Sequence, residues 1–499
     1  MAAVSDPYLL GIDLGTTTCR AAIFDLDGNE VAAAYREMAV QYPRPLWAEI
    51  DPEEWWRGTI GVVRQVLDTV GVAAERIAGI GLTGLMHAPV LLDGVGRSVA
   101  PAMLWMDQRC APQAEALRLD YAARGLNPGY GASTGQSAPK LRWLAEIQPD
   151  VLARARRFML PKDFIRYRLT GVDGTDASDA GGTGMFDRAR GDWAWEIVEL
   201  TGTPRSLLPT IRPAAACAGG VTDAAARQTG LAPGTPVAVG GADTFCTRLG
   251  VGGPGAGELC MYLGTAAWVS QTSGPGQDGK PAIRSFGATS TTGAALRWAR
   301  DVLLGADGET VSASYDALTA LARDVAPGAE GLFFLPHLMG ERGPRAEPLA
   351  RGALVGLTLR HGRPQIVRAV LEGTAFHLRR LLAARTAEHW PEGGSPTGGV
   401  ACGGAARSEL WMQLLVDVTR LSLRVPVVVE AGVLGAAMLG GAAAGLLSID
   451  TAPARMVRFA RAHEPAPRAA VEYDHLYARY CQLDDLLAPW FREGNVNGE

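Results

Sequence analysis

The sequence predicts an α/β protein built as two related lobes with a cleft between them, and three observations carry that reading. At 499 residues the chain exceeds what one hydrophobic core supports, so two or more domains are expected. Apolar strand-like runs alternate with helical stretches, the pattern of sheets flanked by helices with ligands at strand ends. A strand–turn–strand unit carrying Leu-Gly-Thr occurs twice, as Leu14-Gly15-Thr16 and as Leu263-Gly264-Thr265.

Composition narrows the classes. Hydrophobic content of 47% and charged content of 20% suit an ordinary folded protein. The net charge of −5, with no basic run, argues against a nucleic-acid partner. Seven Cys without a CxxC pair read as reduced thiols of a cytoplasmic protein, and the seven His have no metal-ligand spacing. Met1–Asp6 lacks the basic run and apolar core of a signal peptide. Val433–Ile449 is nearly uncharged, but its Ala and Gly content predicts a buried, closely packed helix and no membrane partner.

The elements follow in order. Leu9–Leu14 is a strand that carries Asp13 to its end, where a carboxylate can hold Mg²⁺ directly or through water. Gly15 and the hydroxyls of Thr16, Thr17 and Thr18 form a tight turn suited to phosphate oxygens, and Ala21–Phe24 leaves it as a second strand. Asp27-Gly28 turns the chain into a third strand near Glu30–Met38. Asp51 as N-cap and Pro52 at the first position start a helix running to about Val70. Ile77–Leu82 is an apolar strand ending at Thr83-Gly84, with Met86-His87 next and another strand over Pro89–Leu92.

Helical pattern dominates Ala111–Leu169, Gly171 ends a short helix, and Thr175–Ala180 is polar with cap-like residues. Val237–Val239 is a buried strand that delivers Asp243. The Gly250–Gly257 connector separates a domain over 8–252 from one over 253–499. Beyond it come strand–turn–strand over Leu259–Val269, and helices from Gly293 to about Leu304 and from Pro364 to Ala384. Gly398–Gly404 is a strand entering a glycine turn, and Arg407–Leu421 is an amphipathic helix. The tail beyond Asp450 is partly helical.

Several motifs are excluded. No Lys stands in a GxxxxGK[ST] loop, so P-loop binding is ruled out. Gly250–Gly255 matches GxGxxG, but a strand follows it where the dinucleotide fingerprint must open a helix. No nucleophile elbow and no zinc set is found.

With Asp13, Asp243, both Gly-Thr turns and Gly403-Gly404 in view, the chain resembles the FGGY carbohydrate kinases of the actin-like ATPase superfamily, from Leu9 to about Gly445. Two long stretches carry the resemblance. One is Gly135-Gln136-Ser137-Ala138-Pro139-Lys140-Leu141-Arg142-Trp143-Leu144, which departs only near Ile147. The other runs from Gly352–Leu357 to Gln365–Glu372. Within the family the look is nearest to the xylulokinases, through Met86-His87 with Leu91-Leu92-Asp93, Pro101–Arg109, Thr175–Ala180 and Phe334–Arg342. Three positions depart from that subfamily: Leu85 where Gln is usual, Met106 in place of Asn, and Thr244 in place of Asn. A site built on hydroxyl hydrogen bonds discriminates strongly, so these changes bear on the choice of sugar.

The resemblance implies two RNase H-like domains, each a mixed sheet flanked by helices, with a catalytic cleft between them. It implies ATP and Mg²⁺ as cofactors and a small sugar or polyol as substrate, with D-xylulose the first expectation. Asp243 would be the base taking the sugar hydroxyl proton, and Asp13 and Asp243 would serve the metal. Thr16, Thr17, Arg20, Gly264, Thr265, Gly293, Gly403, Gly404 and Ser408 would contact the nucleotide. Met86, His87, Trp105, Asp243 and Thr244 would line the sugar site. Another ketopentose, a pentitol, a tetritol or an aldonate are the alternative acceptors. A non-kinase actin-like ATPase is disfavoured by the lack of a peptide-binding β domain, and a silent sugar sensor by the intact Asp13 and Asp243. The oligomeric state is not legible, and a homodimer stays open.

Overall fold

A computed structural model describes residues 7–126, 131–255, 257–275, 281–304, 311–341, 343, 347, 349–389 and 396–493. Met1–Asp6, Ala256 of the connector and Arg342 lie outside them. The chain divides into two compact units, Met1–Gly252 with Ala431–Val457, and Gly253–Glu430 with Arg458–Glu499.

The first unit is organised on a sheet in the order Cys217–Gly220, Pro236–Ala238, Ile77–Gly84, Tyr8–Leu14, Thr18–Phe24, Glu30–Glu37, with Gly241–Ala242 added alongside Ile77–Gly84. The three strands Pro236–Ala238, Ile77–Gly84 and Tyr8–Leu14 run parallel, and the flanking pairs are antiparallel. The second unit repeats this in the order Phe459–His463, Ser422–Pro426, Gly398–Cys402, Leu259–Leu263, Ala267–Pro275, Pro281–Ala288, with the same sequence of parallel and antiparallel neighbours. Both Gly-Thr turns therefore occupy the same station, between the first two strands of their sheet. Helix Pro467–Glu493 makes the tail partly helical as expected, but the edge strand Phe459–His463 before it carries no sequence signal, because it is short and largely exposed and shows little hydrophobic alternation.

Local rules account for many boundaries. Helix Pro52–Val70 starts with the Asp51 carboxylate accepting from Glu53 N at 3.0 Å and stops at Gly71, whose φ is +59°.

The segment Ala431–Val457 groups with the first unit, whereas the sequence reading assigned everything after 252 to the second domain. Packing supplies the reason. Helix Ala431–Ala443 is buried from Ala431 through Gly441. A Cβ at Gly11, Gly79, Gly81 or Gly250 would collide with its carbonyls at Val433, Gly440, Ala436 and Ala431. Glycines on strand and helix let the backbones touch, and that contact outweighs continuity along the chain. Among the described residues no helix is long and apolar enough to cross a membrane.

Candidate active site

The first unit collects its candidate residues at the C-terminal ends of its parallel strands, the edge of an open α/β sheet where ligands bind. Asp13 ends the first strand opposite Arg20, with Thr83 as its parallel partner. On the other side of Thr83 lies Gly241, two residues before Asp243, so two strand spacings of roughly 5 Å separate the two chains at this level. The turn after Asp13 closes through Gly15 N donating to Thr18 O at 2.7 Å, leaving Thr16 and Thr17 half-buried. A Cβ placed on Gly432, in the first turn of the buried helix, would sit 3.1 Å from Asp13 Oδ2 and 3.4 Å from Thr247 Oγ1. Oxygen donors, a carboxylate at a half-open strand end and a glycine that keeps the space clear fit a hard divalent cation with few protein ligands. Arg20 is engaged by Glu30, Nη2 to Oε2 at 3.1 Å.

Asp243 is the first residue of helix Asp243–Gly250, one position inside the cap. Its Oδ1 accepts from Thr244 N at 2.6 Å. No described cation pairs with it, and burial pushes its carboxyl up to about 6, with that backbone bond pulling the other way. Immediately before it, Ala242 N donates to Ser178 Oγ at 2.9 Å, and Ser178 in turn binds Asp176.

The acceptor-side residues meet on this edge. Thr244 Oγ1 lies 3.8 Å from Met86 Sδ, and His87 Nδ1 lies 2.6 Å from Gly182 O. His87 has φ +76°, strained for a residue with a side chain. Its carbonyl is held there by Ser137 Oγ at 3.0 Å and Lys140 Nζ at 3.1 Å, both from the Gly135–Leu144 stretch. Trp105 Nε1 donates to Thr16 Oγ1 at 2.9 Å, so a ring expected on the acceptor side is tied to the Gly15 turn. Leu85 differs from its expected place. It is buried in the apolar core, so substitution of Gln there removes a polar group without opening a site surface. Met106 is half-buried, 3.8 Å from the Tyr42 hydroxyl.

The second unit brings its candidates together at the equivalent strand ends. Gly293 N donates to Gly264 O at 2.9 Å, and Thr292 N and Ala294 N both donate to Thr265 O, leaving the Thr265 side chain exposed at the tip. A Cβ on Gly293 would come 2.6 Å from Gly264 O, so this glycine is required by the packing of two turns. Gly403, at φ +92°, donates to Val429 O, and a Cβ there would meet Leu263 O at 2.8 Å. Gly404 has no such packing reason: a Cβ would find only Glu430 Oε1, at 3.9 Å. Its exposed backbone is open to a flat ligand. Ser408 caps helix Glu409–Thr419, its hydroxyl accepting from Trp411 N.

Sequence reasoning missed the polar scaffolding of this edge. Lys162 and Arg166 are buried among Asp163, Asp176 and Asp179, with Lys162 Nζ at 2.7, 3.1 and 3.4 Å from the three carboxylates. Burial pulls the Lys162 ammonium down, but the three carboxylates outweigh it and leave it raised. Two cations against three carboxylates leave one negative charge in excess, and burial, with Asp163 and Asp176 nearby, raises the Asp179 carboxyl against the pull of Lys162. Asp107 and Arg109 form a second clamp, bidentate at 2.6–3.0 Å, with Arg109 over the Trp47 ring at 3.5 Å. The cap-like residues at 175–180 and the Trp-x-Asp-x-Arg run were the available signals.

Comparison with known proteins gives the family. Residues 8–250 match the N-terminal domain, and residues 261–444 the C-terminal domain, of the FGGY family of carbohydrate kinases. The chain is 32% identical over 448 residues to a xylulose kinase of Escherichia coli, covering 87% of this chain and 90% of that protein. It is also 32% identical over 522 residues to a glycerol kinase of Thermus brockianus, covering 98% and 100%. Among solved structures it is similar to a xylulose kinase from Rhodospirillum rubrum, with TM-score 0.78, 30% identity, and coverage of 97% and 100%.

Proposed function

The chain belongs to the FGGY family of carbohydrate kinases and is an ATP-dependent sugar phosphotransferase; from that premise we propose that Asp243 is its catalytic base and D-xylulose its first acceptor. The observation that carries the reading is the half-buried Asp243 at a strand end, its carboxyl pushed up by the packing around it and with no described cation beside it. A carboxylate near pKa 4 is a weak base at neutral pH. One pushed up to about 6 is ionised yet closer to the working pH, which is where general bases act best. Phosphoryl transfer needs positioning and charge neutralisation more than covalent chemistry, so a modest base acting late suffices.

FGGY carbohydrate kinases use ATP, typically with a divalent metal. Bound at Asp13 and Asp243, Mg²⁺ would neutralise phosphate charge. The turn amides and the hydroxyls of Thr16 and Thr17 hold phosphate oxygens. In the second unit Gly264 and Thr265 do the same, and Gly404 with Gly403 and Ser408 lies against the nucleoside. Trp105, Met86, His87 and Thr244 orient the acceptor, and the Ser137 and Lys140 bonds keep the His87 backbone in its strained form.

A second acceptor reading has an observation of its own. Thr244 and Met106 make sulfur contacts where xylulokinases usually offer amides, so fewer donors face the sugar hydroxyls. That favours a shorter polyol such as a tetritol, or glycerol, over a ketopentose. The test is coupled ADP release over D-xylulose, other ketopentoses, pentitols, tetritols, glycerol and aldonates, alongside Asp243→Ala. We expect the highest kcat/KM with D-xylulose and a loss of at least ~10²-fold in kcat for the variant with ATP binding retained. A polyol preferred over D-xylulose replaces the acceptor, and an unchanged kcat removes Asp243 as the base.

A further inference from the structure

The second unit buries a cluster that the kinase chemistry leaves unused. His337 follows strand Phe333–Leu335, Glu341 lies four residues on, and His377 stands inside helix Arg363–His389. All three are almost fully buried: 3%, 6% and 2% exposed. The Glu341 carboxylate is 2.8 Å from His377 Nε2 and 3.4 Å from His337 Nδ1. One ligand atom from each residue can be chosen so that all three lie within 4.8 Å of one another.

Those separations decide between two readings. Buried imidazoles that serve only packing normally complete their hydrogen bonds. Here one carboxylate, Glu341, is shared by His337 Nδ1 and His377 Nε2, and His377 Nδ1 is buried with no hydrogen-bond partner among the described residues. The two imidazoles and the carboxylate thus present ligand atoms to one small buried region. Two ligand atoms on a tetrahedral Zn²⁺ at ~2.0–2.1 Å stand about 3.3 Å apart, close to the 3.4 Å between His337 and Glu341, while the 2.8 Å between His377 and Glu341 has to open by about 0.5 Å to admit the ion.

The surroundings match as well. His337 offers its other nitrogen, Nε2, to Asp484 Oδ1 at 2.9 Å, and Asp484 is held by Arg380 Nη1 at 3.0 Å. A histidine fixed by a carboxylate on its far nitrogen is the usual outer support of a metal ligand. Beside the cluster is a cavity of about 30 Å³ bounded in part by Ala350 and Phe491, enough for one or two waters at an open fourth position.

We infer that His337, Glu341 and His377 form a binding site for one Zn²⁺ ion within the second unit, separate from the kinase's phosphate-binding residues. Two imidazoles and one carboxylate suit Zn²⁺ and its borderline neighbours; Mg²⁺ takes oxygen ligands and does not compete there. The ion ties the turn after Leu335 to helix Arg363–His389 and, through Asp484, to helix Pro467–Glu493.

The test uses the full chain carrying Cys217→Ser, since Cys217 is an exposed thiol that would bind zinc on its own. After chelator treatment the protein is dialysed against ZnCl₂ with MgCl₂ in large excess, and retained metal is measured by mass spectrometry. About one Zn²⁺ per chain is expected, with visible Co²⁺ absorption of tetrahedral type on substitution. His377→Gln should abolish retention, and Asp484→Asn should weaken it by roughly 10–100-fold, as for outer-shell partners of metal ligands. The Co²⁺ spectrum of the otherwise unaltered chain needs no folded variant. No retained zinc, or equal retention in folded His377→Gln, overturns the site and leaves a His–carboxylate charge network.

Discussion

Two sets of carboxylates lie side by side in the first unit, and they solve opposite problems. Around Lys162, three carboxylates share two cations, and the surplus acid shows as an Asp179 carboxyl that burial holds raised. At Asp243, reached from that cluster through Ser178 and the Ala242 amide, a half-buried carboxyl has no described cation. The two also differ in pH linkage. Burial raises Asp163, but Lys162 and Arg166 outweigh it and leave it lowered; its stabilisation is present above the unfolded pKa and is lost as pH falls. Asp243 is raised, so its contribution is present below the unfolded carboxylate pKa and is lost as pH rises through about 6. Paired carboxylates near this edge build it. The unpaired one, proposed as the base, is held at the expense of stability.

The comparison breaks most visibly at Lys162. Lys162→Met leaves three carboxylates with Arg166 alone, and unfolding in urea at neutral pH should show a loss of about 3–5 kcal/mol. Adding Asp179→Asn should return part of it, because it removes the surplus acid. A loss below 1 kcal/mol would mean that the cluster is not what holds this edge.

Asp243→Asn should act in the other direction. At pH 8 it removes an uncompensated charge and should stabilise the protein by up to roughly 2–3 kcal/mol, a gain that vanishes near pH 4. Turnover should be lost at the same time, the stability–activity exchange expected of a strained site. In the unsubstituted enzyme, kcat/KM should fall tenfold per pH unit below about 6 as the base is protonated. In the metal-free protein a destabilised Asp243→Asn would mean that a cationic side chain reaches this carboxyl, and a flat acid limb in the enzyme would mean that the base is not Asp243.

The smallest effect is expected at Arg20. Its pair with Glu30 is partly exposed, so Arg20→Gln should cost about 0–1 kcal/mol. The informative readout is KM for ATP: a several-fold rise assigns Arg20 to phosphate, and no change leaves it with Glu30.

What the sequence disclosed was local. Asp51, Gly71 and the Gly15 turn announce themselves because caps and tight turns need particular residues within a few positions. Asp243 was legible for the same reason, as an acid after a short buried strand. Its raised pKa was not, since that depends on which cations are absent in space. Lys162 looked like one more helix residue, because its three acids come from two segments. Leu85 was judged by its neighbour in the chain, yet side chains at a strand end alternate between surface and core. His337 and His377 are forty positions apart, joined only by the packing of a turn on a helix, so no spacing rule could have paired them.

The return of Ala431–Val457 to the first unit has a consequence for biosynthesis. Its glycine-lined groove on Gly11, Gly79, Gly81 and Gly250 is emitted from the ribosome long before the helix that fills it. At about 5–20 residues per second, the roughly 200 intervening residues take on the order of 10–40 s, during which the bare strands need protection from other chains. The first half cannot mature on its own schedule, and a nick in the second unit would leave both fragments holding each other.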